Sequence, residues 1–227
     1  MKNKFLFLVI LSFAILTMPS CDKKQWKETV ATKIKIESVN TSVYFGVNVL
    51  HIDTVIVNME SLVLSGNRIQ AENINLSETL NGQYLLTENV SQDISTFSIP
   101  QGTYESFLLT SKIGGGINSI ELKGTYTLAN NTVKKVVLEL DYNEFLLNQM
   151  VENSSNPVSI DKDMPGEIKI AIDPSILFDK LNPSYWNAAS NSTINGQNGI
   201  KISNNSNSSM YNEVHSQIGA SLSVNFE

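Results

Sequence analysis

Apolar and polar residues alternate with a period of two along much of this chain. Over residues 30–37 the mostly apolar set is Val30, Thr32, Ile34 and Ile36. The set that alternates with it is Ala31, Lys33, Lys35 and Glu37. The same alternation returns over 43–49, and the β-branched stretch 52–64 ends at the turn signal Ser65-Gly66-Asn67. A period of two buries one face of an antiparallel sheet, whereas a helix repeats every 3.6 residues. The sequence therefore predicts a β fold.

Turn signals divide the first two thirds of the chain into about eight strands between residues 30 and 140. The turn Pro100-Gln101-Gly102 combines a proline that fixes φ with a glycine that accepts a positive φ. A hairpin is expected across Ala129-Asn130-Asn131-Thr132. Strands and turns at this spacing are typical of two packed sheets. We expect an all-β fold, a mostly antiparallel β-sandwich with a few short helical segments in the C-terminal third.

The last third carries helix-start signals. Asp173-Pro174 and Asn182-Pro183 each place an N-cap residue before a proline, which predicts two short helical turns. Residues 187–209 are rich in Asn and Ser and predict a surface loop with a short strand at Gly199–Ser203. A short helix capped near Asn207 and a closing strand over 221–226 should follow. We expect one domain over 29–227, with an irregular, helix-containing part at 141–220.

The first twenty residues have the order of a secretory signal. Met1-Lys2-Asn3-Lys4 is a short basic start, and twelve residues with one hydroxyl among them follow at 5–16. A membrane-spanning helix needs about 20 apolar residues, so this run is too short to span a bilayer. Residues 1–20 are therefore predicted to be a cleaved signal peptide.

The single cysteine, Cys21, stands where the signal should be cut. The preceding Thr17-Met18-Pro19-Ser20 resembles a bacterial lipobox, with Pro19 in place of the usual Ala or Ser. The resemblance implies that Cys21 becomes acylated on its thiol and its amine, with residues 21–28 as a tether. We expect a lipid-anchored protein of the cell envelope, in the outer membrane, with the leaflet undecided. The alternative is ordinary signal cleavage that leaves a free thiol.

Composition excludes several classes of partner and site. Acidic residues exceed basic ones, 22 against 16, and only Arg68 is an arginine, so a nucleic-acid partner is not expected. One cysteine cannot form an internal disulfide, a zinc site built on several thiolates, or an iron–sulfur cluster.

The segment Ile99-Pro100-Gln101-Gly102-Thr103-Tyr104, with the strand residues Phe107-Leu108-Leu109 after it, carries a second resemblance. It resembles the "Pro-x-Gly-x-Tyr" corner of bacterial envelope lipoproteins with immunoglobulin-like or transthyretin-like β-sandwiches. The likeness covers about residues 30–140. It implies a sandwich whose chain enters a central strand through this corner. Many such families have no assigned activity.

Candidates for chemistry are few. The histidines His51 and His215 could help to hold a metal only if further ligands converged on them. Asp161 and Asp163 have the spacing of calcium ligands, but Pro165 and Ile172 stand where further ligands belong, so a plain turn is the alternative. The chain has no Gly-x-Ser-x-Gly elbow. We expect no enzyme and no cofactor.

Two surface features suggest a ligand or a modification. Tyr185-Trp186 could form a stacking platform for a sugar or an anchor for a protein partner, or else a lid over the core. Asp53-Thr54-Val55 resembles an acceptor for O-glycosylation of exported proteins in some bacteria, which requires an exposed Thr54. The expected function is a non-catalytic binding or structural module, with an envelope protein or glycan as partner. The alternative is a solute- or glycan-binding lipoprotein that delivers its ligand to a transport partner.

Overall fold

The computed structural model describes residues 28–69, 71–115, 118–140, 144–151, 157–163 and 165–227. The predicted signal peptide, Cys21 and the tether up to residue 27 lie outside the described residues. The strands of the first 140 residues are β1 (Thr29–Ser38), β2 (Ser42–Phe45), β3 (Asn48–Arg68), β4 (Ile74–Leu86), β5 (Gln92–Pro100), β6 (Gly102–Gly114), β7 (Ile120–Thr127) and β8 (Val133–Leu140). These eight strands confirm the number expected from the turn signals.

The last third contains both strands and helices. Its strands are β9 (Glu144–Met150), β10 (Val158–Ile160), β11 (Glu167–Ile172), β12 (Ser192–Ile194), β13 (Gln197–Ile202) and β14 (Leu222–Phe226). Its helices are α1 (Pro174–Leu177), α2 (Pro183–Ala188) and α3 (Ser208–Ser216). The part over 141–220, where we expected short helices and one strand at Gly199–Ser203, contains three helices and supplies five strands to the two sheets.

The strands form two sheets, and the fold is the predicted all-β sandwich. The smaller sheet has the order β14-β11-β1-β5, and the larger one runs β10-β6-β3-β7-β8-β13-β12. In the larger sheet β2 and β4 also pair with β3, and β9 pairs with β6. Pairing is antiparallel except between β1 and β11 and between β8 and β13. These two parallel contacts join strands of the last third of the chain to strands of the first 140 residues.

The long strand β3 organises the larger sheet. Its first half pairs with β7 over residues 49–57, and its second half pairs with β6 over residues 59–68. On its other edge β3 pairs with β2 and β4. Irregularities in register fall at Ile52/Thr54 and at Met59/Ser61. Such bulges bend a strand and increase its twist. The bent strand β3 can then pair with β7 along its first half and with β6 along its second half.

The core lies between the sheets and continues under the helices as one hydrophobic cluster. Ile36 and Ile170 of the smaller sheet face Met59 and Ile113 of the larger one across a cavity of about 10 Å³. That volume has room for about one water molecule, so the sheets are close-packed at this point. No helix among the described residues is long and apolar enough to cross a membrane.

The predicted helical turns form as their sequences indicate. Asp173 caps α1, because its carboxylate accepts hydrogen bonds from the backbone N–H groups of Ser175 and Ile176. Asn182 caps α2 by accepting from the N–H of Ser184. Each helix has proline at its first position, where no backbone N–H is needed.

The corner between β5 and β6 is held by Tyr104. Its side chain is fully buried, and its hydroxyl donates a hydrogen bond of 2.6 Å to the carbonyl of Pro100. The ring stacks on Phe107, with centroids 4.4 Å apart, and the Arg68 guanidinium lies 5.7 Å from its centre. Burial raises the pKa of Tyr104 to about 12, and the nearby Arg68 opposes this shift. The phenol therefore ties the smaller sheet to the larger one in its neutral form.

We predict that Tyr104→Phe lowers the free energy of unfolding by about 1–2 kcal/mol near pH 8, because the Pro100 carbonyl loses its buried donor. The difference should shrink in alkali. The unfolded phenol ionises near pH 10, whereas the folded one does so at about 12, so the wild type loses stability as the pH rises through this window. Urea unfolding at pH 8 and at pH 11 measures both effects.

Tyr44→Phe is the matched control, because Tyr44 is 72% exposed. It should change stability by less than about 0.5 kcal/mol at either pH. A loss from Tyr104→Phe that stayed constant from pH 8 to pH 11 would contradict the role assigned to the neutral phenol.

Candidate functional site

The aromatic pair Tyr185-Trp186 lies on α2. Trp186 is only 2% exposed, and its ring stacks on Tyr126 with centroids 4.3 Å apart. Trp186 therefore has no exposed ring face for stacking on a sugar, and the lid interpretation describes its position. Tyr185 packs partly against the core, and its hydroxyl donates to Glu213 at 3.1 Å, which raises the pKa of Tyr185.

The calcium candidates Asp161 and Asp163 lie in the turn after β10. The carboxylate of Asp161 accepts a hydrogen bond of 3.0 Å from the backbone N–H of Asp163, the geometry of an Asx turn. In the described part of the chain no three His, Cys, Asp or Glu side chains lie close enough together to hold a metal ion. The turn therefore accounts for the spacing of the two aspartates.

The two histidines occupy different environments. His215 lies on α3 and stacks on Tyr211 with ring centroids 5.8 Å apart, and its burial lowers its pKa. His51 lies on β3, and its ring is about half exposed on the outer face of the larger sheet. Its neighbours there are Ser42 and Asp53.

A pocket of about 320 Å³ opens on the outer face of the larger sheet, between strand β8 and the hairpin formed by β12 and β13. Three strands and the hairpin contribute to its walls. Its lining residues are Asp53, Lys123, Gly124, Lys135, Val136, Val137, Ile194, Asn195 and Gln197. We call it the hairpin pocket. Its volume lies at the lower end of the range of ligand sites, about 300–1,000 Å³.

A β-bulge brings Asp53 to the pocket. Ile52 pairs with Gly124 and Thr54 pairs with Lys123, so Asp53 is the extra residue on β3. The two backbones approach closely here, because a Cβ added to Gly124 would lie 2.1 Å from the carbonyl oxygen of His51. Only glycine fits at this point. The bulge directs the exposed carboxylate of Asp53 towards the pocket, and Thr54 beside it is half-buried.

The other wall is a tight hairpin. Asn195 and Gly196 form its two-residue turn with φ of 50° and 76°, the positive values of a type I′ turn. Gly199 allows close packing, because an added Cβ would lie 2.6 Å from the Lys135 carbonyl oxygen and 2.7 Å from the Ile194 side chain. The close approach of β13 to β8 therefore depends on a residue without a side chain.

Asn207 anchors the hairpin to the rest of the fold. Its side-chain oxygen accepts a hydrogen bond of 2.8 Å from the N–H of Ser190, and its amide donates to the carbonyls of Ser190 and Lys201. Asn207 is also the N-cap of α3, as predicted, but its side chain makes no capping bond because it is engaged with the hairpin. Its positive φ of 52° suits asparagine better than most residues.

The hairpin pocket combines charges of both signs with aliphatic surface. Lys123 and Lys135 supply two ammonium groups, and Asp53 supplies one carboxylate. The Lys123 ammonium is 2.5 Å from Glu121, which lies outside the lining, and Asp53 is 3.6 Å from the Nε2 of His51. Asn195 and Gln197 add amides, whereas Val137 and Ile194 add apolar surface. A site of this kind can bind a small hydrophilic molecule through charge, hydrogen bonds and aliphatic contact.

Sequence reasoning missed this site. The segment 187–209 was expected to be a loop with one strand, but it contains both strands of the hairpin. Asn195-Gly196 between Ile194 and Gln197 is a strong two-residue turn signal that could have predicted it. No sequence signal places Asp53 beside this turn, because their proximity depends on the order of strands β3, β7, β8 and β13.

Comparisons of the chain with protein-family models, with curated proteins and with solved structures found no match.

Proposed function

We propose that this chain is a non-catalytic binding module of the bacterial cell envelope. Acyl chains on Cys21 hold it at a membrane, which we expect to be the outer membrane. Its ligand is a small hydrophilic solute or glycan unit that binds in the hairpin pocket. The observation that carries this proposal is the pocket itself, in which two lysines, an aspartate and two amides surround aliphatic surface. Support for the anchor comes from the sequence alone, from the signal segment and the cysteine that follows it.

A serine, a histidine and an aspartate lie in a row beside the pocket, and their geometry favours binding over acyl transfer. Ser42 and His51 are paired across β2 and β3, and the Ser42 hydroxyl is 3.1 Å from the Nδ1 of His51. In a hydrolytic triad the serine contacts Nε2, and a buried aspartate orients Nδ1. Here the nitrogens are reversed and Asp53 is half exposed. An aspartate in water holds an imidazole only weakly.

The rigidity of the walls also supports a binding role. The Asn207 bonds and the type I′ turn fix the hairpin, and antiparallel pairing with β7 fixes the position of β8. A preformed site loses less conformational entropy on binding than a mobile one. The pocket therefore needs no large rearrangement to accept a ligand.

We predict that a thermal-shift screen of neutral sugars, acidic sugars and amino acids at 10 mM raises the melting temperature of the full chain with at least one compound. A ligand at one hundred times its Kd adds about 2.7 kcal/mol of stability. Val137→Trp should abolish this shift, because the half-buried Val137 side chain lines the pocket and an indole would fill it. The measurement is the ligand-dependent change in melting temperature of each variant.

Val133→Trp is the control, since Val133 lies on the same strand, is 56% exposed and does not line the pocket. It should keep the full ligand response. If no compound shifts the wild type, or if Val137→Trp responds like Val133→Trp, binding in the hairpin pocket is disproved. A purely structural module would give the first of these results.

A further inference from the structure

We infer that the ligand of the hairpin pocket is a sugar carrying one carboxylate, of the hexuronic acid class, with Lys135 as the residue that binds its carboxylate. This inference rests on the proposed binding function and specifies its ligand. The relevant observations are the ion-pair partners of each charged group in the lining and the hydrogen-bonding groups opposite them.

The two lysines of the pocket differ in their partners. Lys123 already has Glu121 at 2.5 Å, so its charge is compensated within the sheet. Lys135 is exposed and forms no ion pair with any residue that the structure describes. An ammonium group is a compact point charge with three donors, and a carboxylate satisfies it through a charge-assisted hydrogen bond. Lys135 therefore provides a place for one negative charge of a ligand.

The remaining polar groups match hydroxyls. The Asp53 carboxylate accepts hydrogen bonds, and the amides of Asn195 and Gln197 both donate and accept them. A sugar ring presents hydroxyls that do both, together with C–H faces that can contact Val137 and Ile194. A ligand with several negative charges fits less well, because Asp53 would repel the charge that Lys135 does not balance. One carboxylate on a hydroxyl-rich ring satisfies both sides of the pocket.

Among the residues that the structure describes, none of those lining the pocket is aromatic, so the ligand is not inferred from ring stacking. Charge and hydrogen bonds must then provide most of the selectivity. The chain as a whole has more acids than bases, 22 against 16, whereas the described lining contains two lysines and one aspartate. A neutral sugar would leave the Lys135 ammonium without an ion-pair partner among the described residues.

The test compares D-glucuronate with D-glucose by isothermal titration calorimetry on the full chain at low salt. We expect glucuronate to bind at least tenfold more tightly than glucose. Lys135→Met should weaken glucuronate binding by about tenfold to one-hundredfold, the range for a hydrogen bond to a charged group, and leave glucose binding unchanged. Asp53→Ala should weaken both sugars by a similar factor, because it removes an acceptor for hydroxyls that both possess.

Lys180→Met is the charge-matched control, since the exposed Lys180 follows α1 and does not line the pocket. It should bind glucuronate like the wild type. Equal affinities for the two sugars, or an equal loss of both in Lys135→Met, would overturn the ligand class. The proposed function would stand if another compound still raised the melting temperature of the wild type and Val137→Trp abolished that rise. If no compound did so, the proposed function would be disproved together with the ligand class. Binding of amino acids in place of glucuronate would also overturn the inference.

Discussion

Trp186→Ala is expected to lower the free energy of unfolding by about 3–5 kcal/mol, the usual cost of truncating a buried aromatic side chain to alanine. The indole is 2% exposed and stacks on Tyr126 at 4.3 Å with an interplanar angle of 13°. It also contacts Phe45, whose ring centroid is 5.3 Å away, and lies 6.4 Å from Phe178. Its removal leaves a cavity where α2 covers one end of the sandwich. Urea unfolding followed by circular dichroism measures the loss.

Trp186→Phe removes the indole N–H but keeps an aromatic ring at this position. The indole N–H is buried and has no hydrogen-bond partner among the described residues, so its removal should cost little. The smaller ring still fills part of the site, and we expect a loss of about 1–2 kcal/mol. A loss below about 1 kcal/mol for Trp186→Ala would contradict the burial of the indole and would favour an exposed platform on Tyr185-Trp186.

The strands of the first 140 residues could be predicted because each one shows its own alternation of apolar and polar residues, which is a local property of the sequence. Period-two alternation in β1 and β3 marks a buried and an exposed face without reference to any partner. Local rules also predicted α1 and α2, since the caps Asp173 and Asn182 bond to groups two or three residues away. Bonds over such short separations depend on sequence spacing alone.

The parallel contacts were not predictable in the same way. β1 pairs with β11, where Ile34 lies opposite Ile168, and β8 pairs with β13, where Val136 lies opposite Ile200. The order of the strands is set by the whole core, and no turn joins these partners. Sequence reasoning missed β11 within the part over 141–220 for this reason, because this six-residue strand pairs with β1 and β14, which are distant from it in sequence.

The hairpin pocket depends on the same long-range pairing. Asp53 reaches the pocket through a bulge, whose position is set by the register of β3 against β7. Lys135 and Gln197 come together because β13 lies beside β8. Sequence reasoning offered Tyr185-Trp186 as a platform or as a lid over the core, because aromatic residues are common in binding sites, and the structure buries Trp186. Residue type without topology could not decide between these two interpretations.

Cys21→Ser is expected to move the protein from the membrane fraction to the soluble fraction. A hydroxyl cannot replace the thiol that the proposed lipid anchor requires, so the variant would carry no lipid. Each buried CH₂ contributes about 0.8 kcal/mol, and a single acyl chain gives only reversible binding, whereas several chains hold a domain firmly. The effect on localisation should therefore be nearly complete. Fractionation of cells and mass spectrometry of the mature N-terminus measure it.

Ser20→Ala is the matched control for Cys21→Ser, because it keeps a small residue before the cysteine. It should leave the protein in the membrane fraction with its acyl chains. The released Cys21→Ser protein must keep the β-rich circular dichroism of the wild type, which excludes loss through misfolding. Wild-type protein with an unmodified Cys21 thiol would show ordinary signal cleavage. Continued membrane association of the Cys21→Ser variant would show that another part of the chain holds it at the bilayer, and either result disproves the lipid anchor.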